Sequence, residues 1–109
     1  MTTTEAPQPT APLETTEEDL MAFVYRAVGD VGAVLNGAMV VIGDRLGLYR
    51  AMAGQPPTTP QALAEATGTD ERYVREWLSA QAAAGYVVHE GDGRFRLPAE
   101  PAIALTDES

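Results

Sequence analysis

Hydrophobic residues near the start of the chain recur with the period of an α-helix. They lie three or four residues apart, at Leu20, Phe23, Val24, Ala27, Val28 and Val31. Thr16 precedes them and can cap a helix, and acidic residues at 17–19 occupy the first turn, where the helix dipole favours anions. The pattern predicts an amphipathic helix that begins near Thr16 and breaks or bends between Gly29 and Gly32.

A second predicted helix reaches about Ala53, and its first half is apolar on nearly every side. The run from Val31 to Ile42 is interrupted mainly by Asn36 and Gly37. A membrane span needs roughly 20 mostly apolar residues, and the charged pair at 44–45 ends this run sooner, so we expect no membrane partner. The helix is either buried within the domain or covered on its outer face by a partner chain or a following domain. We favour the second explanation, because a domain this small has few elements that can surround a helix.

The segment from 58 to 87 has the pattern of a helix, a tight turn and a longer helix. Thr59 is placed to cap the first helix, and Pro60 stands where its missing N–H costs nothing. Gly68 is placed to end this helix, and Thr69 to cap the next one. The apolar stripe of the second helix is predicted to be Tyr73, Val74, Trp77, Leu78 and Ala82, with Tyr73 and Trp77 in the core.

A short β-hairpin is predicted directly after these helices. Residues 86–88 favour a strand, the sequence Gly91-Asp92-Gly93 a tight turn, and residues 94–97 a returning strand. Residues 100–105 indicate one further helical turn. A helix-turn-helix followed by a two-stranded wing is a winged helix, so we predict a mainly α fold with a small β-wing and long N-terminal helices.

The composition of the chain predicts a disordered N-terminal tail and a cellular location. Residues 1–16 are rich in Thr, Pro and Ala without apolar periodicity, so we expect a disordered tail before a winged-helix domain at 17–109. The chain has no cysteine, which excludes disulfides and thiolate zinc sites and makes a cytoplasmic location the default expectation. The net charge is −9, which disfavours a polyanionic partner.

Candidate catalytic and metal-binding residues are few. His89 is the only histidine and stands beside the wing without an evident orienting partner. The acidic cluster at 17–19 is explained by its place at a helix start, and Asp92 lacks the further oxygen ligands that calcium requires. We therefore predict no catalytic residue and no metal site in this chain.

DNA binding is the runner-up hypothesis that the winged helix itself suggests. Its candidate residues are two pairs of arginines, one on the second helix and one on the wing: Arg72, Arg75, Arg94 and Arg96. Five carboxylates at 70, 71, 76, 90 and 92 lie among them and would repel phosphate. We expect the helix arginines to pair with neighbouring carboxylates and regard DNA as an improbable partner.

Four residues of the N-terminal helices are candidates for a substrate pocket or an interface. Tyr25, Asn36 and Met39 combine an aromatic hydroxyl, an amide and a flexible thioether on otherwise apolar helices, and Phe23 belongs to the first apolar stripe. Packing in the core or in an interface is the simpler explanation of each.

Three segments carry a specific family pattern. They are GDRLGLYRAMA at 43–53, LAEATGTDERYVREWLSAQAAAGYV at 63–87 and FRLPAEPAIALTDES at 95–109. Through them the chain from Ala22 to Ser109 resembles the N-terminal winged-helix domain of a bacterial family of class I S-adenosylmethionine (SAM)-dependent methyltransferases. The resemblance implies a homodimer formed through the N-terminal helices, a lid over the active site, part of the acceptor-substrate pocket and a catalytic Rossmann-like domain that follows.

The sequence departs from that family in lacking the cofactor-binding domain. No strand is followed by a glycine-rich loop, and the glycines at 91 and 93 lie in the hairpin. We therefore expect a dimerisation and substrate-lid domain that neither binds SAM nor is catalytic alone, either a fragment or a gene product that keeps only the accessory domain. The alternatives are a stand-alone dimeric small-molecule-binding module or small enzyme, and a winged-helix transcription regulator.

Overall fold

The first element is α1 (Glu17–Arg45), a single helix of 29 residues. The computed structural model describes residues 11–107, and the chain divides at Val31 into two units that α1 connects. Residues 11–16 form neither helix nor strand. Most of the predicted disordered tail, residues 1–10, lies outside the described residues.

The start of α1 is confirmed, but the predicted break between Gly29 and Gly32 is wrong. The Thr16 hydroxyl accepts a hydrogen bond from the Asp19 backbone N–H at 3.0 Å, as a cap does. The helix then runs without interruption to Arg45. A glycine inside a helix costs up to about 1 kcal/mol relative to alanine. Gly29 and Gly32 carry this cost without ending the helix. The chain turns later, at Gly47, which takes a left-handed conformation with φ 73°. Residues with a side chain rarely adopt this conformation.

The second unit contains the rest of α1 and all the remaining elements. In chain order these are α2 (Leu48–Met52), α3 (Pro60–Thr67), α4 (Glu71–Ala83), β1 (Val88–Gly91), β2 (Arg94–Arg96) and α5 (Ala99–Thr106). The predicted mainly α winged helix is confirmed. The terminal helix, α5, is slightly longer than the single turn expected at 100–105.

The helix-turn-helix formed by α3 and α4 is capped as predicted at one helix and differently at the other. The Thr59 hydroxyl accepts a hydrogen bond from the Ala62 N–H at 3.1 Å, and Gly68 ends α3 in a left-handed conformation. Asp70, not Thr69, caps α4, and its carboxylate accepts from the Arg72 N–H at 2.9 Å. The Thr69 hydroxyl instead lies 2.7 Å from that of Thr67, inside the turn.

The wing is a two-stranded antiparallel hairpin. Strand β1 begins at Val88, two residues later than predicted, and pairs with β2 in a register that sets Val88 opposite Arg96. At the turn both Asp92 and Gly93 have positive φ angles, 53° and 69°, as a tight hairpin requires. Thr58 and Phe95 exchange two backbone hydrogen bonds, which fasten the wing to the chain just before α3.

The core of the second unit joins α2, the helix pair and the wing. Its buried hydrophobic residues are Leu48, Tyr49, Met52, Leu63, Ala64, Val74, Trp77, Leu78, Val87, Phe95 and Leu97. Tyr73 is a further correction, because 72% of it is exposed. The buried side of α4 is centred on the positions of Val74 and Leu78, and one residue back along a helix points about 100° away.

Candidate functional site

The last turns of α1 approach α4 so closely that Gly43 has no room for a side chain. A Cβ atom at this position would lie 2.5 Å from Trp77 Cζ2 and 2.7 Å from Tyr49 Cε2. The two rings meet edge to face, with centroids 5.0 Å apart. The Trp77 indole N–H donates a hydrogen bond to the Met39 carbonyl at 2.9 Å. The glycine and the indole together fix the distance between α1 and α4.

A chain of polar side chains, Tyr49–Gln81–Asn36, crosses this packed region. The Tyr49 hydroxyl donates to Gln81 Oε1, and Gln81 Nε2 donates to Asn36 Oδ1 at 2.8 Å. Gln81 is fully buried, and burial, followed by the charges of Tyr86 and Asp44, raises the pKa of Tyr49. The direction of the two bonds fixes the orientation of the Asn36 amide, with its oxygen toward Gln81.

A groove of about 450 Å³ lies beside this region. Its apolar wall is supplied by the end of α1, the turn that follows it, the start of α2 and one side of α4, through Met39, Ile42, Leu46, Leu48, Val74 and Trp77. Ile42 and Leu46 are more than 40% exposed, so part of the wall faces solvent. A volume in the range of about 300–1,000 Å³ is typical of small-molecule sites.

The polar residues of the groove are acidic or neutral. They are Thr69, Asp70, Tyr73 and Glu76. No arginine is among the lining residues in the part of the chain that the structure describes. The groove therefore combines an apolar wall with a carboxylate rim.

The four predicted pocket or interface candidates separate into two pairs. Asn36 and Met39 both engage α4, Asn36 through Gln81 and Met39 through the Trp77 indole, and Met39 also lines the groove. Phe23 and Tyr25 belong to the first unit, where 60% and 70% of their surface is exposed, and the Arg26 guanidinium lies 5.8 Å from the Phe23 ring centre. The role of all four as substrate-pocket or interface residues stays a prediction.

Three of the four arginines proposed for DNA contact have carboxylate neighbours. Arg75 pairs with Glu71 at 2.6 Å, as expected from their spacing on α4, and Arg96 pairs with Glu90 across the wing. Arg72 Nε lies 3.9 Å from Glu76. Arg94 has no ion-pair partner among residues 11–107. These pairings reduce the positive charge available to phosphate.

His89, the histidine considered from the sequence, lies outside the groove lining. The His89 ring lies against Phe95, with centroids 4.8 Å apart. Across residues 11–107, no group of three or more His, Cys, Asp or Glu side chains is arranged to hold a metal ion. A Rossmann-type SAM site needs a parallel strand with a glycine-rich loop. The strands found between residues 11 and 107 are an antiparallel hairpin, so these residues do not form that type of site.

Sequence reasoning missed Gln81 and Gly43. Gln81 had a detectable signal, because it stands three and seven residues after Leu78 and Val74 and therefore on the buried side of α4. Gly43 had none, since a glycine in an apolar helix does not reveal which ring approaches it.

Comparison with known proteins assigns a family to this fold. The family model described as the Rv2258c-like winged HTH domain matches residues 34–107. The chain belongs to that family. For this winged HTH domain, the family match agrees with the α3–α4 pair and the hairpin described above.

Solved methyltransferases contain a similar domain. CalO1, a methyltransferase in calicheamicin biosynthesis in its SAH-bound form, shares 31% identity with a TM-score of 0.62, over 88% of this chain and 27% of CalO1. The mitomycin 7-O-methyltransferase MmcR shares 32% identity with a TM-score of 0.62, over 80% of this chain and 27% of MmcR. RosA from Streptomyces davawensis, an N,N-8-amino-8-demethyl-D-riboflavin dimethyltransferase, shares 25% identity with a TM-score of 0.54, over 80% and 24% of the two chains.

The winged HTH domain thus spans about a quarter of the length of these methyltransferases. The predicted resemblance to an N-terminal domain of SAM-dependent methyltransferases is confirmed. A search of curated protein sequences gave no significant match.

Proposed function

We propose that this winged HTH domain is the dimerisation and substrate-lid domain of a cytoplasmic SAM-dependent methyltransferase and is not catalytic alone. The observation that carries the proposal is the similarity to CalO1 and MmcR at 31% and 32% identity, over most of this chain and 27% of each methyltransferase. Methyl transfer then belongs to a following catalytic domain, and the winged HTH domain supplies the dimer interface and the lid over the substrate.

The exposed apolar surface of α1 supports dimerisation. Within the first unit Leu20, Val28 and Val31 are each more than half exposed, and within the second unit so are Val34 and Leu35. Gly43 is the only buried residue of the helix. Apolar area removed from water contributes about 25 cal/mol per Å², so a second copy placed on this helix would gain considerable stability.

A second copy is a better partner for α1 than a lipid bilayer. By length and composition alone the helix is able to cross a membrane, with a mean hydropathy of 1.4 in its most apolar window. However, Arg26 and Asp30 stand among its apolar residues. A charged side chain at the centre of a membrane helix costs about 2.5–3.5 kcal/mol, whereas at a protein interface such residues can remain solvated at the rim.

The lid role is supported by the polar chain Tyr49–Gln81–Asn36. An amide held by Gln81 in one orientation provides a fixed N–H donor on an apolar helix, and such isolated polar groups orient ligands in otherwise apolar pockets. We propose Asn36 and Met39 as contacts to the acceptor substrate or the partner copy, together with Phe23 and Tyr25.

The test is the mass of the protein produced from its native gene in its own host, detected with an antibody against this domain. We expect a product several times larger than 11.6 kDa that binds SAM, while the isolated domain gives no heat of SAM binding in calorimetry. A native product of 11.6 kDa, or SAM binding by the isolated domain, would contradict the proposal.

Transcriptional regulation is the less favoured alternative. The ion pairs of Arg75 and Arg96 and the acidic net charge both oppose binding to a polyanion. An absence of duplex retardation at low salt is the expected result.

A further inference from the structure

We propose that the groove lined by α1, α2 and α4 binds an apolar ligand that carries one protonated amine. This proposal goes beyond the dimerisation and lid function, and the groove shares one residue, Met39, with those proposed for that function. The apolar wall and the volume of about 450 Å³ suit a compact hydrocarbon group. The polar residues of the rim determine which ligand charge the groove prefers.

The charged and aromatic rim residues lie at the N-cap and in the first two turns of α4. Asp70, Tyr73 and Glu76 follow one another at intervals of three, which places them along one face of the helix. Tyr73 is 72% exposed and lines the groove together with the two carboxylates. Carboxylates beside an exposed aromatic ring attract an ammonium group by charge and by cation–π contact.

The two carboxylates do not contribute equally. Asp70 caps α4 and accepts hydrogen bonds from the N–H groups of Arg72 and Tyr73, so its charge is partly offset by the positive end of the helix dipole. Glu76 lies beyond the first turn, and its neighbour is Arg72, 3.9 Å away and largely solvent-exposed. Such exposed pairs are weak. Glu76 is therefore the principal partner of the amine, and Arg72 is its competitor.

The experiment uses Trp77, the one tryptophan of the chain, as a reporter in the groove wall. Adamantylmethylamine is titrated against the protein while Trp77 emission is recorded, and calorimetry gives the affinity independently. Adamantylmethanol is the neutral probe of the same shape, and adamantanecarboxylate is the anionic one. We expect the amine to bind about fivefold or more tightly than the alcohol, and the carboxylate most weakly.

Variants assign the selectivity to named residues. Glu76→Gln should bring amine affinity down to that of the alcohol, and Arg72→Gln should raise it about twofold by removing the competing cation. Asp70→Asn should have a smaller effect on amine affinity, because the charge of Asp70 is already partly offset at the helix start, and asparagine still caps the helix. Glu100→Gln on α5 removes the same charge outside the groove lining and should change nothing.

Equal affinity for amine and alcohol, or retention of selectivity in Glu76→Gln, would overturn the proposal. So would the absence of any binding of the amine, and a shift of Trp77 emission on dilution would then mean that a second copy fills the groove. None of these outcomes depends on whether the native product contains a methyltransferase domain, so failure here is distinguishable from failure of the proposed function.

Discussion

Gly43 is the buried residue through which α1 packs directly against the core. Replacing it with alanine forces a Cβ to within 2.5 Å of Trp77 and 2.7 Å of Tyr49, whose rings are held by packing and hydrogen bonds. We predict that Gly43→Ala lowers the free energy of unfolding by about 1–3 kcal/mol, as overpacking typically does. Urea denaturation at fixed protein concentration measures this change.

Gly37 provides the matched control for Gly43. It lies in the same helix, and a Cβ placed on it would meet no atom within 4 Å. Gly37→Ala should leave stability unchanged or raise it by up to about 1 kcal/mol, because alanine has the higher helix propensity. Equal effects of the two substitutions would show that helix propensity, rather than the approach of the rings, decides the result.

Among the elements, α2, α4 and α1 are joined by the polar chain Tyr49–Gln81–Asn36. Burial raises the pKa of Tyr49 above 10.0, so the unfolded chain loses this proton at a lower pH than the folded chain does. Stability is therefore retained below pH 10 and falls as the pH rises beyond it, by up to about 1.4 kcal/mol per pH unit. The chain has no lysine or cysteine side chain to titrate in the same range.

Tyr49→Phe tests this link between the helices. Removal of the hydroxyl leaves Gln81 Oε1 buried without its donor, which should cost about 1–3 kcal/mol at neutral pH. The variant should also lose part of the alkaline decline in stability, measured by denaturation at pH values on both sides of 10. A decline identical to that of the wild type would mean that other tyrosines cause it.

Sequence reasoning succeeded for elements whose boundaries depend on local chemistry. Thr59, Pro60 and Gly68 define α3 through capping and backbone conformation, and Asp92-Gly93 defines the hairpin, so each was predictable from neighbouring residues. The errors had two different causes: a glycine does not always end a helix, and tertiary packing decides which face of a helix is buried. Gly29 and Gly32 lie within an unbroken helix, and Tyr73 belongs to the groove rim although its spacing also fits the buried stripe.

The candidate site was less predictable than the fold. Asn36 and Met39 were identifiable as unusual residues on an apolar helix, but their partners, Gln81 and Trp77, lie 45 and 38 residues further along the chain. Contacts at that separation depend on how α1 docks onto α4. The groove depends on the same docking, since its wall draws on three helices.

At the scale of the whole molecule, the unusual property is a helix of 29 residues with one buried residue. Helices in proteins are stabilised mainly by packing an apolar face against other elements. We propose that a second copy of the chain supplies that packing. A partner on α1 would also explain why apolar residues occur on nearly every side of this helix between residues 31 and 42.

Sedimentation equilibrium tests dimerisation through α1 most directly. We predict a dimer, with twice the 11.6 kDa mass of the chain, at about 100 µM, and a monomer for Val28→Glu, because this side chain is 65% exposed in the single chain and its burial beside a partner would be lost. Gln55→Glu adds the same charge to an exposed loop and should remain dimeric. A monomeric wild type at that concentration, or a dimer that Val28→Glu leaves intact, would contradict dimerisation through this helix.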